Sequence, residues 1–230
     1  MKKRGLFIAL EGTDGTGKKT QMKLLVRRLK KEGYLVRKIS FPQYRKPSAW
    51  QIERYLNGFF GKPDKVDPYF ASLLYADDRR EARPKIEEWL GQGFTVVSDR
   101  YAASNAGHQG GKIVNPRERK RYLEWLWQTE FKVNRIPVPD INIVLWLPPS
   151  LSQRLILKKG ARSYIKKGRK RDGHERDLAH LRRAALSYQW LVRQDPKHFR
   201  LVSCMKSKRL LLPEEIHEKI WGLVKPLLKK

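Results

Sequence analysis

Apolar residues along the chain gather into five short, partly β-branched runs: Gly5–Leu10, Tyr34–Ser40, Phe94–Ser98, Ile141–Leu147 and Phe199–Ser203. Near-continuous runs of this length suit strands that are covered on both faces. Between them the period changes to that of a helix. Met22, Leu25, Val26 and Leu29 recur three or four apart, and Gly33 is placed to stop that helix. Asn115-Pro116 opens another, with Pro116 in the first turn and Leu123, Leu126 and Glu130 following. Ser150 is expected to cap the segment LSQRLILKK, and Pro213 to begin a last helix with Ile216, Ile220, Leu223 and Leu227 on its inner stripe. Strands alternating with helices predict βαβ units: a three-layer α/β/α sandwich with a five-stranded parallel sheet, in one domain over residues 1–230. Residues 159–171 break the pattern. Two glycines and eight Lys or Arg side chains between Lys158 and Arg171 predict a short cationic lid, the alternative being a basic surface loop.

Composition narrows the class. With 40% hydrophobic and 32% charged residues the chain reads as globular, and no apolar run approaches the roughly 20 residues of a membrane span. The start, MKKRGLFIALEG, is basic then apolar, yet it passes straight into a glycine loop and is read as a first strand rather than a secretory signal. One cysteine, Cys204, cannot form an internal disulfide, which agrees with a reducing cytoplasm. The charge is unusual: 51 Lys+Arg against 23 Asp+Glu gives a net +28, a surplus that attracts polyanions. The basic residues are spread over several expected helices and no zinc-ligand spacing or RNA-recognition signature accompanies them, so nucleic-acid contact is expected to be non-specific.

The chemistry begins at ALEGTDGTGKKTQ, Ala9 to Gln21. Gly12, Gly15 and Gly17 permit the backbone to turn its amides inward around a phosphate chain. Lys18 brings a cation to the β/γ oxygens, and the following helix points its positive end at the same place. A strand before and an amphipathic helix after supply the context that a phosphate-binding loop requires, predicting a P-loop NTPase fold. Lys19 stands where such loops commonly place a magnesium-holding hydroxyl, and Thr20 follows. In VVSDRYAASNAGHQGG, Asp99 ends a strand at the carboxyl edge of the sheet, where it suits magnesium held through water, and Arg100 suits a phosphate clamp. Tyr75 and Arg79 lie four apart and share a helix face, an aromatic plane beside a guanidinium that fits a nucleobase, or ordinary helix packing. Asp172 and Glu175 fit a capping box, and equally a carboxylate pair that steadies lid arginines or meets magnesium-bound water.

Together these motifs resemble the thymidylate kinase family. LEGTDGTGKKTQ matches its glycine loop, DRYAASNAGHQGG its second signature, and Tyr75 with Arg79 its aromatic-then-arginine helix. The FPQY segment and the Asp172/Glu175 pair fall in the same order, so the likeness spans residues 5–225. The resemblance implies transfer of the ATP γ-phosphate to dTMP with Mg²⁺, in a cytoplasmic homodimer. It assigns ATP phosphates to Gly12, Thr13, Asp14, Gly15, Thr16, Gly17, Lys18, Lys19 and Thr20, with Arg154 at the adenine side. It assigns the acceptor to Asp14, Phe41, Tyr44, Tyr75, Arg79, Arg100, Ser104, Asn105, His108 and Gln109. Magnesium falls to Asp99, Asp14 and Glu175 through water, and catalysis to Lys18, Asp14, Asp99, Arg100 and the lid arginines Arg162, Arg169 and Arg171. Three departures stand out: His108 for the usual Tyr, no arginine within FPQY where Arg45 follows, and Lys19. The competing readings are another nucleoside monophosphate kinase, or a catalytically impaired P-loop protein that binds nucleic acid.

Overall fold

A computed structural model of the protein describes residues 4–157 and 178–228. Among them, five parallel strands form one sheet: β1 Phe7–Glu11, β2 Val36–Ser40, β3 Thr95–Asp99, β4 Ile141–Trp146 and β5 Phe199–Ser203, in the order β2-β3-β1-β4-β5. Each expected apolar run contains one of them. The register pairs Leu10 with Asp99 and Glu11 with Val144, so β1 ends level with β3, and the loops that follow share one edge.

Alternation along β1 divides the core. Ile8 and Leu10 face Leu25 and Leu29 of α1 (Lys18–Lys31) together with Ile220 and Val224 of α8 (Pro213–Leu228). Phe7 and Ala9 face the other way, toward Ala82, Ile86 and Leu90 of α3 (Pro68–Gly91). A third apolar group joins Leu126 of α5 (Pro116–Trp127), Val144 of β4, and Tyr188 and Leu191 of α7 (Leu178–Gln194). This is the three-layer sandwich. The remaining helices are α2 (Trp50–Leu56), α4 (Ala103–His108) and α6 (Pro149–Leu157).

Local signals hold at most helix ends. Gly33 adopts φ 85 and the amides of Gly33 and Tyr34 return to the carbonyls of Lys30 and Leu29, closing α1 in a Schellman turn. The Asn115 side chain accepts from the amides of Arg117 and Glu118 and so caps α5. Ser150 is not a cap: Pro149 already occupies the first helical position, which its fixed φ suits, and Ser150 lies inside the first turn. A two-stranded hairpin, β6 (Met205–Lys206) with β7 (Arg209–Leu210), and a π-helical turn over Gln128–Val133 had no clear signature in the apolar pattern. The expected lid and the Asp172/Glu175 pair lie outside the described residues.

Candidate active site

The glycine loop fills the bend between β1 and α1. Gly12, Gly15 and Gly17 all have positive φ, at 129, 84 and 87. A Cβ on Gly12 would sit 2.4 Å from the Leu145 carbonyl, and one on Gly15 2.5 Å from that of Ser152, so two of the three are required by space as well as by conformation. Inside the loop Lys18 is buried and its Nζ donates to the carbonyls of Gly12 and Thr13 at 2.9 and 2.8 Å. Burial, with repulsion from Arg100, outweighs the pull of Asp14, Asp99 and Glu11 and brings its ammonium down to about 7. Lys19 and Thr20 are exposed on the first turn of α1, while Thr16 is buried and its hydroxyl donates to the Thr13 carbonyl at 2.9 Å.

Arg100 follows β3 with φ 67, a left-handed conformation that turns its side chain back over the loop. Its Nη2 donates to Asp14 Oδ1 at 2.8 Å, and its Nη1 to the Gly12 carbonyl at 3.2 Å and toward Ser104 Oγ at 3.4 Å. Burial opposes its charge, but the carboxylates of Asp14, Asp99 and Glu11 more than offset this, and its pKa rises well above the usual arginine value. Beneath it, buried Glu11 accepts from the Tyr101 amide at 2.7 Å, from Ser104 Oγ at 2.6 Å and from Tyr188 Oη at 3.1 Å. Desolvation raises the Glu11 pKa against those bonds. Glu11 thereby ties β1, the segment after β3 and α7 together.

The two carboxylates expected near magnesium differ in state. Asp14 is engaged by Arg100, whereas Asp99 Oδ1 is buried with no hydrogen-bond partner among the described residues. An acceptor left so is costly unless something donates to it or binds it, and it fits a cation or its water shell. Among the described residues no three His, Cys, Asp or Glu side chains form a cage, which agrees with a metal carried largely by phosphate and water.

Beyond the loop the acceptor-side residues fall into two groups. Phe41 is buried against Tyr101, and Tyr44 and Tyr75 pack at the edge of a cluster with Tyr55 and Ile52. Asn105 donates to the Ser72 carbonyl at 3.1 Å; Gln109 donates to Tyr55 Oη at 3.4 Å and keeps a buried Oε1 without a partner among the described residues. His108 lies against Arg100, its Nε2 3.1 Å from Nη1. Arg79 is 1% exposed and forms an ion pair with Glu130, which is fully buried; its Nε lies 3.1 and 3.2 Å from the two carboxylate oxygens, and its Nη1 reaches the Tyr101 carbonyl at 3.4 Å. Arg154 is exposed on α6. Arg162, Arg169, Arg171 and Glu175 lie outside the described residues.

The thymidylate kinase family profile matches residues 10–214, from the glycine loop into α8. The chain belongs to the thymidylate kinase family. It is 31% identical over 220 residues to the thymidylate kinase of Homo sapiens, covering 95% of this chain and 89% of that one. It is likewise 31% identical over 223 residues to a probable thymidylate kinase of Pyrococcus abyssi, with 96% and 97% covered. A solved thymidylate kinase from Candida albicans superposes with a TM-score of 0.75 over 98% of this chain and 93% of its own, at 21% identity, which bears on the fold. The α/β architecture and the assignment to a phosphotransferase family both hold.

Sequence reasoning missed the supports of this kinase site. Glu11 stood inside a quoted motif without a role, and Glu130, Tyr188 and His180 are far from it in the chain. Each was visible only as a polar residue among apolar helix positions. A carboxylate such as Glu130 next to Phe131 is the one such signal that charge alone could have raised.

Proposed function

We propose that the protein transfers the γ-phosphoryl group of ATP to dTMP, giving ADP and dTDP. The observation that carries this reading is the meeting of Lys18, Asp14 and Arg100 at the carboxyl ends of β1 and β3, two cations and a carboxylate within one buried hydrogen-bonded set. Phosphoryl transfer asks mostly for positioning and for positive charge around the moving group, and this set offers both.

Lys18 and the amides of residues 12–20 hold the ATP phosphates, and Arg154 borders the adenine. Lys18 exchanges its bonds to the loop carbonyls for phosphate oxygens. Arg100 clasps the acceptor phosphate, while Asp14 sets the angle of its fork and meets the acceptor sugar. Tyr75 stacks on the thymine and Arg79 presents Nη1 to its O4, with Phe41, Tyr44, Ser104, Asn105, His108 and Gln109 enclosing the rest. Arg162, Arg169 and Arg171 bring charge to the transferring group. Asp99 and Asp14, with Glu175, would hold magnesium through water, where the ion neutralises phosphate charge. Lys19 is a tolerated variant of the loop, since its exposed place on α1 leaves Lys18 and the glycines undisturbed.

The protein acts as a single kinase domain in the cytoplasm and pairs as a homodimer, for which exposed Trp50, Phe59, Phe70 and Leu73 offer apolar surface around α2 and α3. No described helix is long and apolar enough to cross a membrane. Polynucleotides bind it only through general charge attraction. A panel of acceptors tests the base assignment: with ATP and Mg²⁺, ADP should form faster with dTMP than with dUMP, dCMP, GMP or AMP. Equal rates across the panel would place the protein among unselective monophosphate kinases.

A further inference from the structure

Where the family usually has a tyrosine, this chain places His108, and a second histidine stands behind it. His108 ends α4, and His180 lies in the first turn of α7, immediately after the undescribed residues 158–177. His108 Nε2 is 3.1 Å from Arg100 Nη1, and His108 Nδ1 is 3.1 Å from His180 Nε2. The rings are nearly parallel, 21° apart with centroids at 5.4 Å, and the Tyr188 ring meets His108 edge-on. His180 is 1% exposed.

The donor inventory fixes the direction of this chain. Arginine has only N–H donors and stays charged, so His108 Nε2 must offer its lone pair. A neutral imidazole then carries its proton on Nδ1, which donates to His180 Nε2, and that nitrogen must be a lone pair too. The two imidazoles have one arrangement that satisfies both contacts. Arg100, His180 and Lys18 disfavour charge on His108 and only Asp14 favours it; together with burial they hold its pKa well below the ordinary histidine value.

We propose that His180 is a positioning residue for the acceptor phosphate: by fixing the tautomer of His108 it keeps Nε2 an acceptor and aims the Arg100 fork beside Asp14. The proposal rests on the reading that Arg100 clasps the acceptor phosphate. A tyrosine at position 108 would carry one hydroxyl and need no partner to set a tautomer, so the second histidine answers a need that the first creates. Through it, the helix that follows residues 158–177 bears on the acceptor arm of the site.

The test compares variants by steady-state kinetics with dTMP and ATP. His180→Phe, which removes the acceptor nitrogen, should raise the KM for dTMP by about tenfold, the scale of a hydrogen bond that orients a charged group, and change the KM for ATP less than about twofold. His180→Gln, whose Oε1 can accept in place of Nε2, should return the dTMP KM to within about threefold of the parent. In a His108→Phe background, adding His180→Phe should cost nothing more, since coupled residues are not additive. Parallel loss for both substrates, or a glutamine no better than phenylalanine, overturns the proposal. Arg100→Lys separates the underlying reading: if it leaves the dTMP KM unchanged, the acceptor-phosphate role of Arg100 fails first. Should the variants not fold, ¹⁵N-histidine spectra of the parent protein at pH 6 decide. His108 is expected neutral with its proton on Nδ1, and a proton on Nε2 contradicts the relay.

Discussion

At the scale of single residues, the site is governed by charges held in low-dielectric surroundings. Lys18 is brought down to about 7 chiefly by burial, so above neutral pH it is largely uncharged in the ligand-free protein. Polyphosphate adds negative charge beside it and raises its pKa. The complex therefore binds more protons than the separate partners, and ATP affinity should weaken as pH rises above 7. Calorimetry at pH 8 in buffers of different ionisation enthalpy should show net proton uptake on ATP binding; no uptake would mean that Lys18 keeps away from the phosphates. Lys18→Ala should lower turnover by at least about a hundredfold, as loss of a preorganised charge does, measured by ADP release. Arg79 needs a more careful substitution. Arg79→Ala strands Glu130 in the core, and breaking a buried pair costs about 3–5 kcal/mol, visible in urea unfolding. Replacing both, Arg79→Ala with Glu130→Leu, should restore much of that stability while leaving the dTMP KM raised and the ATP KM near the parent's. Equal loss for both substrates contradicts the base contact.

At the scale of elements, the site depends on how closely α4 meets α7. A Cβ on Gly107 would lie 2.3 Å from the Tyr188 ring, the same tyrosine whose hydroxyl reaches Glu11. Gly107→Ala should therefore destabilise by about 1–3 kcal/mol through overpacking and raise the dTMP KM as the segment around Arg100 shifts. Urea unfolding and kinetics check the two effects together. The strands were legible in the sequence because burial on both faces leaves an apolar run with little else to explain it. Gly33 and Asn115-Pro116 were legible because their end signals are local chemistry. Ser150 misled, since a proline one residue earlier starts the helix before a side-chain cap is needed. The stretch read as helical over 72–84 proved to be part of a helix from Pro68 to Gly91 that passes through Pro84, because packing of Ala82, Ile86 and Leu90 outweighs the lost backbone bond. The glycine loop and Arg100 were legible as motifs. Their supports, Glu11 with Tyr188 and His108 with His180, join residues up to 177 positions apart and leave no local pattern.

At the scale of the whole molecule, the +28 charge acts on encounter rather than on chemistry. Both proposed substrates are anions, so kcat/KM should fall with added KCl more steeply than kcat does, as expected when long-range attraction is screened. Any polynucleotide binding should be sequence-independent and vanish over the same range of salt. The fold places both substrates along one sheet edge, with β1 and β3 ending level and their loops joined by Arg100, Asp14 and Glu11. The central claim is that this edge moves a phosphoryl group from ATP to dTMP. Phosphorus NMR of the purified protein with ATP, Mg²⁺ and dTMP tests it most directly. The account predicts dTDP and ADP appearing in equal amounts while ATP and dTMP decline together; ATP and dTMP persisting unchanged, with salt-sensitive binding to DNA or RNA, would contradict it.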